Sequence, residues 1–75
     1  MSEITVRGAG MRYPVIFEPE EEGGFHVWCP ALKGCHSQGE TQEEALANIQ
    51  EAMAAYLESL RAEGIPFPKD EETHH

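Results

Sequence analysis

One spacing decides where this chain must turn from sheet to helix. Thr41 and Glu44 stand three residues apart, just ahead of an apolar pattern that begins at Ala45. In such a capping box the Thr41 hydroxyl accepts from the backbone N–H of Glu44, and the Glu44 carboxylate reaches back to the N–H of Thr41. Leu46, Ile49, Met53, Leu57 and Leu60 then recur at intervals of three and four, with Ala45, Ala52 and Tyr56 widening the stripe. Ala is frequent and neither Gly nor Pro interrupts the pattern, so propensity agrees with periodicity. Glu43 and Glu44 in the first turn and Arg61 in the last suit the helix dipole. Gly64 and Pro66 stop the helix. The pattern predicts a helix from Gln42 to Glu63, roughly 33 Å long and able to cross a small sheet.

Before the cap, the chain reads as strands. Met11 to Glu18 alternates, with Tyr13, Val15 and Phe17 on one face. Pro14 would cost a ladder hydrogen bond in a central strand, which places the segment at an edge or Pro14 near the strand start. Pro19 to Gly24 is acidic and ends in Gly23-Gly24, a hairpin connection. Phe25 to Cys29 alternates again, with Phe25, Val27 and Cys29 facing one way and His26 and Trp28 the other. Pro30 ends that strand, Lys33-Gly34 makes a turn, and Cys35 to Gly39 is a short third strand running into the cap. Strands joined by short links make an antiparallel meander. Ile4 and Val6 allow a short strand, but Met1 to Gly10 reads rather as a flexible N-terminal extension jointed at Gly8-Ala9-Gly10, and Ile65 to Pro68 as a short edge strand or arm. Residues 69–75 read as a polar tail, including His74 and His75.

The chain has 75 residues, enough for one domain with a small core. Self-association, to a dimer or tetramer, is the expected way to gain more. Fourteen Asp and Glu against five Lys and Arg give a net charge of −9. Phosphate binding depends on Lys and Arg, so direct nucleic-acid binding is not expected, whereas a basic partner is. No apolar run approaches the roughly 20 residues of a membrane span, and no signal pattern opens the chain. A cytoplasmic protein with reduced Cys29 and Cys35 is expected, with no membrane association.

Three kinds of chemistry meet obstacles in the placement of these residues. A zinc site from His26, Cys29, Cys35 and His36 is opposed by geometry, because residues one or three apart on a strand point to opposite faces. A sheet with an acidic residue near Glu18 is similar to part of the ribonuclease H fold. Two-metal phosphoryl transfer needs several converging carboxylates, however, and here they sit at the hairpin, on the helix and in the tail. Ser37 beside His36 points away from it, with no orienting carboxylate. No catalytic, cofactor-binding or metal-binding residue is therefore expected. The candidates are for protein interaction: Glu20, Glu21 and Glu22 at the hairpin, and His26 and Trp28 on the strand. If the helix covers the Phe25 face, Trp28 lies on the opposite one, either open to a partner or packed beneath the N-terminal segment or the Ile65–Pro68 arm.

From Met11 onward the chain resembles the HicB family, the antitoxin half of HicA–HicB toxin–antitoxin systems. The resemblance runs through Tyr13 to Phe17, the acidic hairpin Glu20 to Gly24, and the aromatic strand Phe25 to Cys29. It continues through Pro30, Leu32, Gly34 and Cys35, then Gly39, Thr41, Glu43, Glu44 and Ala45, and closes on Gly64, Pro66 and Pro68. No piece is specific alone; the ordered set is. Ala31 stands where the family often has Asp, and Lys33 where it often has Pro. Met11 sits where many relatives begin. Many relatives append an operator-binding domain, for which the chain after Pro68 leaves no room, so DNA autoregulation is not carried over. The resemblance implies a partial ribonuclease H-like domain without catalytic residues. It would bind a small toxin that has a double-stranded-RNA-binding-like fold and cleaves mRNA through a histidine.

The expected architecture is α+β: a three-stranded antiparallel meander on one long helix, with a short C-terminal strand or arm. Residues 1–10 would be an extension, 11–68 the HicB-like domain and 69–75 the tail. Gly34, Gly39, Thr41, Glu44, Gly64 and Pro66 are its structural positions. The expected function is an antitoxin that occludes a basic HicA-type toxin. The alternative is an orphan homo-oligomeric module with no toxin partner and no catalytic activity.

Overall fold

The alternating apolar residues of the strands and the stripe of the helix meet in a single interface. In the computed structural model, which describes residues 2–8 and 10–68, four strands precede one helix. They are β1 (Ser2–Gly8), β2 (Met11–Pro19), β3 (Phe25–Trp28) and β4 (His36–Gly39), followed by α1 (Gln42–Ala62). The sheet is antiparallel throughout, in the spatial order β1-β2-β3-β4. Tyr13, Val15, Phe17, Val27 and Cys29 from the sheet are buried against Ala45, Ile49, Met53 and Leu57 of α1. Leu46 and Leu60 are half-buried at the margins of the stripe. The least dimension of the molecule is 17 Å, as one helix layer on one sheet requires.

The sheet has four strands where the sequence predicts three. Residues 2–8, expected to be a flexible extension, pair along their whole length with β2, from Ser2 opposite Phe17 to Gly8 opposite Met11. The cause lies in β2. Ile4 falls opposite Val15 and Val6 opposite Tyr13, so this short segment adds two apolar side chains to the helix-covered face. Gly10 takes a φ of 79°, a left-handed conformation suited to the tight return. β2 is consequently an interior strand, yet its ladder with β3 begins only at Ile16, so Pro14 is paired on the β1 side alone. That keeps the missing N–H of Pro14 out of the second ladder.

The β4–α1 junction is close-packed. A Cβ built on Gly39 would meet the backbone of Ala45, 2.8 Å from its Cα. Thr41 is the N-cap, and its hydroxyl accepts from the Glu44 N–H at 3.0 Å. The return bond differs from the expected box: Glu44 Oε1 accepts from the N–H of Glu40, at 2.6 Å, instead of from Thr41. The carboxylate thereby clamps the residue that links β4 to the cap. At the other end Glu63 is the C-cap and Gly64 takes a φ of 71°. The Gly64 N–H donates to the Arg61 carbonyl and the Ile65 N–H to that of Leu60, which is the Schellman arrangement. Ile65 to Pro68 continues as an extended arm, not a strand, with Phe67 half-buried against the core. The buried Tyr13 hydroxyl donates to the Pro68 carbonyl at 2.7 Å and anchors it. Residues 69–75, the expected polar tail with His74 and His75, lie outside the described residues.

Two substitutions rank the forces at this junction. Thr41→Ala removes one cap bond and is expected to cost about 1 kcal/mol. Gly39→Ala forces a methyl group against the helix backbone and is expected to cost as much or more, about 1–3 kcal/mol. Urea unfolding monitored by circular dichroism checks both.

Candidate protein-binding face

Register assigns every strand residue to one of two faces. With Tyr13, Val15, Phe17 and Val27 against the helix, the intervening residues project from the bare side of the sheet. Across its middle, Ile16 lies opposite Trp28 and Trp28 opposite His36, while Pro14 precedes Ile16 on the same side. Trp28, His26, Ile16 and Pro14 are all half-buried although no helix covers them, because they shield one another. The His26 and Trp28 rings are 5.3 Å apart and tilted by 31°, and His36 meets His26 edge-on at 5.6 Å. The result is an apolar and imidazole-bearing centre on an otherwise charged face.

Trp28 lies on the bare face, and among the described residues neither β1 nor the Ile65 to Pro68 arm packs beside it there. β1 lies beside β2 within the sheet, and Phe67 of the arm shares a groove with Val6, Met53 and Leu57 on the helix side. Glu20, Glu21 and Glu22 are exposed in the β2–β3 link. That link is closed by the Gly23 N–H donating to the Glu20 carbonyl and the Glu20 N–H donating to that of Gly24, both at 3.0 Å. Gly23 and Gly24 take φ values of 102° and 87° there. Glu18, opposite His26, joins the hairpin acids to the bare face. Glu40 and Glu44 share a hollow with Glu20, so the start of α1 extends the same negative end. Ile16, Pro14 and His36 are face residues that the sequence-based candidates omit. The alternation of β2 already put Ile16 and Pro14 opposite Tyr13 and Val15, but His36 needed the β3–β4 register.

The cysteines flank the turn that follows β3 and line one hollow with His26, Trp28 and His36. Cys29 and Cys35 are both buried and unbridged, while His26 and His36 share the bare face. The Cys29 N–H donates to the Cys35 carbonyl at 3.0 Å, and bonds from Leu32 and Cys35 close the turn between them. Burial pushes both thiols up from their ordinary value. At Cys29 the bonds from the Leu32 and Ala31 backbone oppose burial, and at Cys35 the neighbouring Cys29 adds to it. Protonated, enclosed thiols are poor nucleophiles and poor metal ligands. Among the described residues no three His, Cys, Asp or Glu side chains converge as a metal site would need. No helix of the described residues is long and apolar enough to cross a membrane.

What the fold and face define is a small two-layer α+β domain with one covered side and one bare side flanked by carboxylates. Residues 13–74 match the family described as "HicB_like antitoxin of bacterial toxin-antitoxin system", and the chain belongs to that family. It is 58% identical to a UPF0150 protein of Synechocystis sp. over 59 residues, covering 79% of this chain and 75% of that one. It is 48% identical to a UPF0150 protein of Thermoplasma acidophilum over 60 residues, covering 80% and 87%. It is also 43% identical to Antitoxin HicB 1 of Photorhabdus laumondii over 60 residues, covering 77% of this chain and 39% of that protein.

The raised thiols give stability a definite sign with pH. A group whose folded-state pKa lies above its unfolded value stabilises fully below the unfolded value and loses that contribution as pH rises through the folded one. The urea midpoint is therefore expected to fall above about pH 9, and to fall less in the Cys29→Ala/Cys35→Ala double variant. Native protein at neutral pH is expected to react with a thiol-specific disulfide reagent far more slowly than urea-unfolded protein does.

Proposed function

We propose that this chain is the antitoxin of a toxin–antitoxin pair and that it neutralises a small basic HicA-type RNA-cleaving toxin by covering the toxin's RNA-binding surface. The observation that carries this reading is the adjacency, in a member of the HicB-like antitoxin family, of an acidic hairpin and a bare sheet face. A surface that binds RNA must be rich in Lys and Arg, and an inhibitor competing for it does so most directly with carboxylates. Glu20, Glu21 and Glu22 accelerate the encounter by long-range attraction. The Trp28 and Ile16 patch then supplies the desolvated contact that slows dissociation. Inhibition by occlusion asks for no catalysis by this chain.

The test is capture of the chain from its native lysate, followed by an RNA-cleavage assay with what is bound. A small basic protein released by high salt, whose RNA cleavage is stopped by adding the chain back, is the expected result. Recovery of the chain alone would favour the homo-oligomeric module without a toxin. With the toxin in hand, Glu21→Lys/Glu22→Lys is expected to lower the association rate about tenfold at low salt, a difference that shrinks as salt rises. Trp28→Ala is expected instead to raise the dissociation rate about tenfold or more, with little change in association rate. Stopped-flow kinetics separates the two effects.

A further inference from the structure

The sheet has two edges, and they differ in length and cover. β4 is four residues long, Gly39 at its end is packed onto α1, and the carbonyl of Gln38 accepts from the Asn48 side-chain amide at 2.7 Å. β1 is seven residues long and stands at the far end of the strand order, so no strand of the described residues pairs with its outer side. It carries no Pro, no Lys and no bulge in its register with β2, and its only guards of an exposed edge are the opposite charges Glu3 and Arg7. Its residues are Ser2, Glu3, Ile4, Thr5, Val6, Arg7 and Gly8, with a charge of each sign.

That order is self-complementary. We infer that β1 is the seam of a symmetric dimer in which two copies pair antiparallel about Thr5, giving a continuous eight-stranded sheet. A two-fold axis through an antiparallel pair must run through the sheet, so it joins like faces and puts both helices on one side. In the register centred on Thr5, Glu3 of each copy stands opposite Arg7 of the other, Ile4 opposite Val6, and Ser2 opposite Gly8. A shift by one step either way, to a centre on Ile4 or Val6, sets Thr5 against Glu3 or against Arg7 and leaves the ends unpaired. Only the Thr5 register uses the whole strand and matches its charges.

One observation inside the protomer points to the same occupant. On the helix side, Val6, Met53, Leu57 and Phe67 line a groove of about 230 Å³ beside β1. Pairing at the seam brings Ile4 of the second copy next to Val6 at the margin of that groove, where a monomer leaves Ile4 only half-buried. The inference is independent of the toxin reading, since it stands on the edge strand alone.

Charge reversal tests the register as well as the dimer. Wild-type protein is expected to sediment as a dimer at micromolar concentration. Glu3→Arg sets two arginines against each other at both symmetric positions, and Arg7→Glu sets two glutamates. Each variant alone is expected to show a dissociation constant raised roughly tenfold or more, with an unchanged circular dichroism spectrum. Mixing the two variants restores both opposite-charge pairs, so an equimolar mixture is expected to form a heterodimer visible by native mass spectrometry. The double variant Glu3→Arg/Arg7→Glu is expected to dimerise like wild type. A monomeric wild type, single variants that dimerise unchanged, or a mixture that fails to recover the dimer would each overturn the seam. So would dissociation caused by Trp28→Ala, which would place the contact on the bare face instead.

Discussion

Everything in this fold is arranged around one close approach of backbone to backbone. β4 meets the first turn of α1 with no room for a side chain at Gly39, and Thr41 and Glu44 lock the turn that follows. The direction of the helix is thereby set before its apolar stripe makes contact with β2 and β3. A 21-residue helix held at that angle lies entirely on one face. It buries Tyr13, Val15, Phe17 and Val27 and leaves the other face without a layer. It also brings the Asn48 amide to the Gln38 carbonyl on the β4 edge. The two surfaces left for partners, the bare face and the β1 edge, are those that this junction does not reach.

Much of this was legible in the sequence because the relevant signals are local. The cap, the helix stripe, the alternation in β2 and β3 and the glycines of the turns each depend on residues a few positions apart. The assignment of Trp28 and His26 to one face followed from the pleat alone. What was not legible depended on partners far along the chain. Residues 2–8 hold only Ile4 and Val6 as strong strand formers, too few to mark a strand without β2 beside them. The same holds for Pro14, whose tolerance rests on where the β3 ladder happens to begin. Glu44 also chose Glu40 over Thr41, a choice between two N–H groups that spacing does not resolve.

The candidate face was half legible for the same reason. Trp28, His26 and the hairpin glutamates stand out by residue type and position. Their grouping with Ile16 and His36 needs the registers Ile16 to Trp28 and Trp28 to His36. The family resemblance supplied a function that the residues alone do not, since an acidic hairpin beside an aromatic patch is common to many binding surfaces. The contribution of the structure is to put the two side by side: the hairpin glutamates adjoin the face on which the His26 ring meets Trp28 and His36.

The charge layout links the two proposed surfaces. Along β1 and β2 the sheet runs from Arg7 and Arg12 at one end to Glu18 and the hairpin acids at the other, so each protomer is electrically polar. Antiparallel pairing at β1 lays the basic end of one copy beside the acidic end of its twin. Arg7 then faces Glu3 of the second copy. The hairpin acids stand at the β2–β3 link, away from the seam, and are not used by it. Self-association would thus draw on the few cations of the sheet and leave its carboxylates projecting, one hairpin at each end of the assembly. For a protein with a net charge of −9 this division matters. The forces that join two copies are short-range and matched in register, while those that attract a basic partner act at a distance and remain unspent.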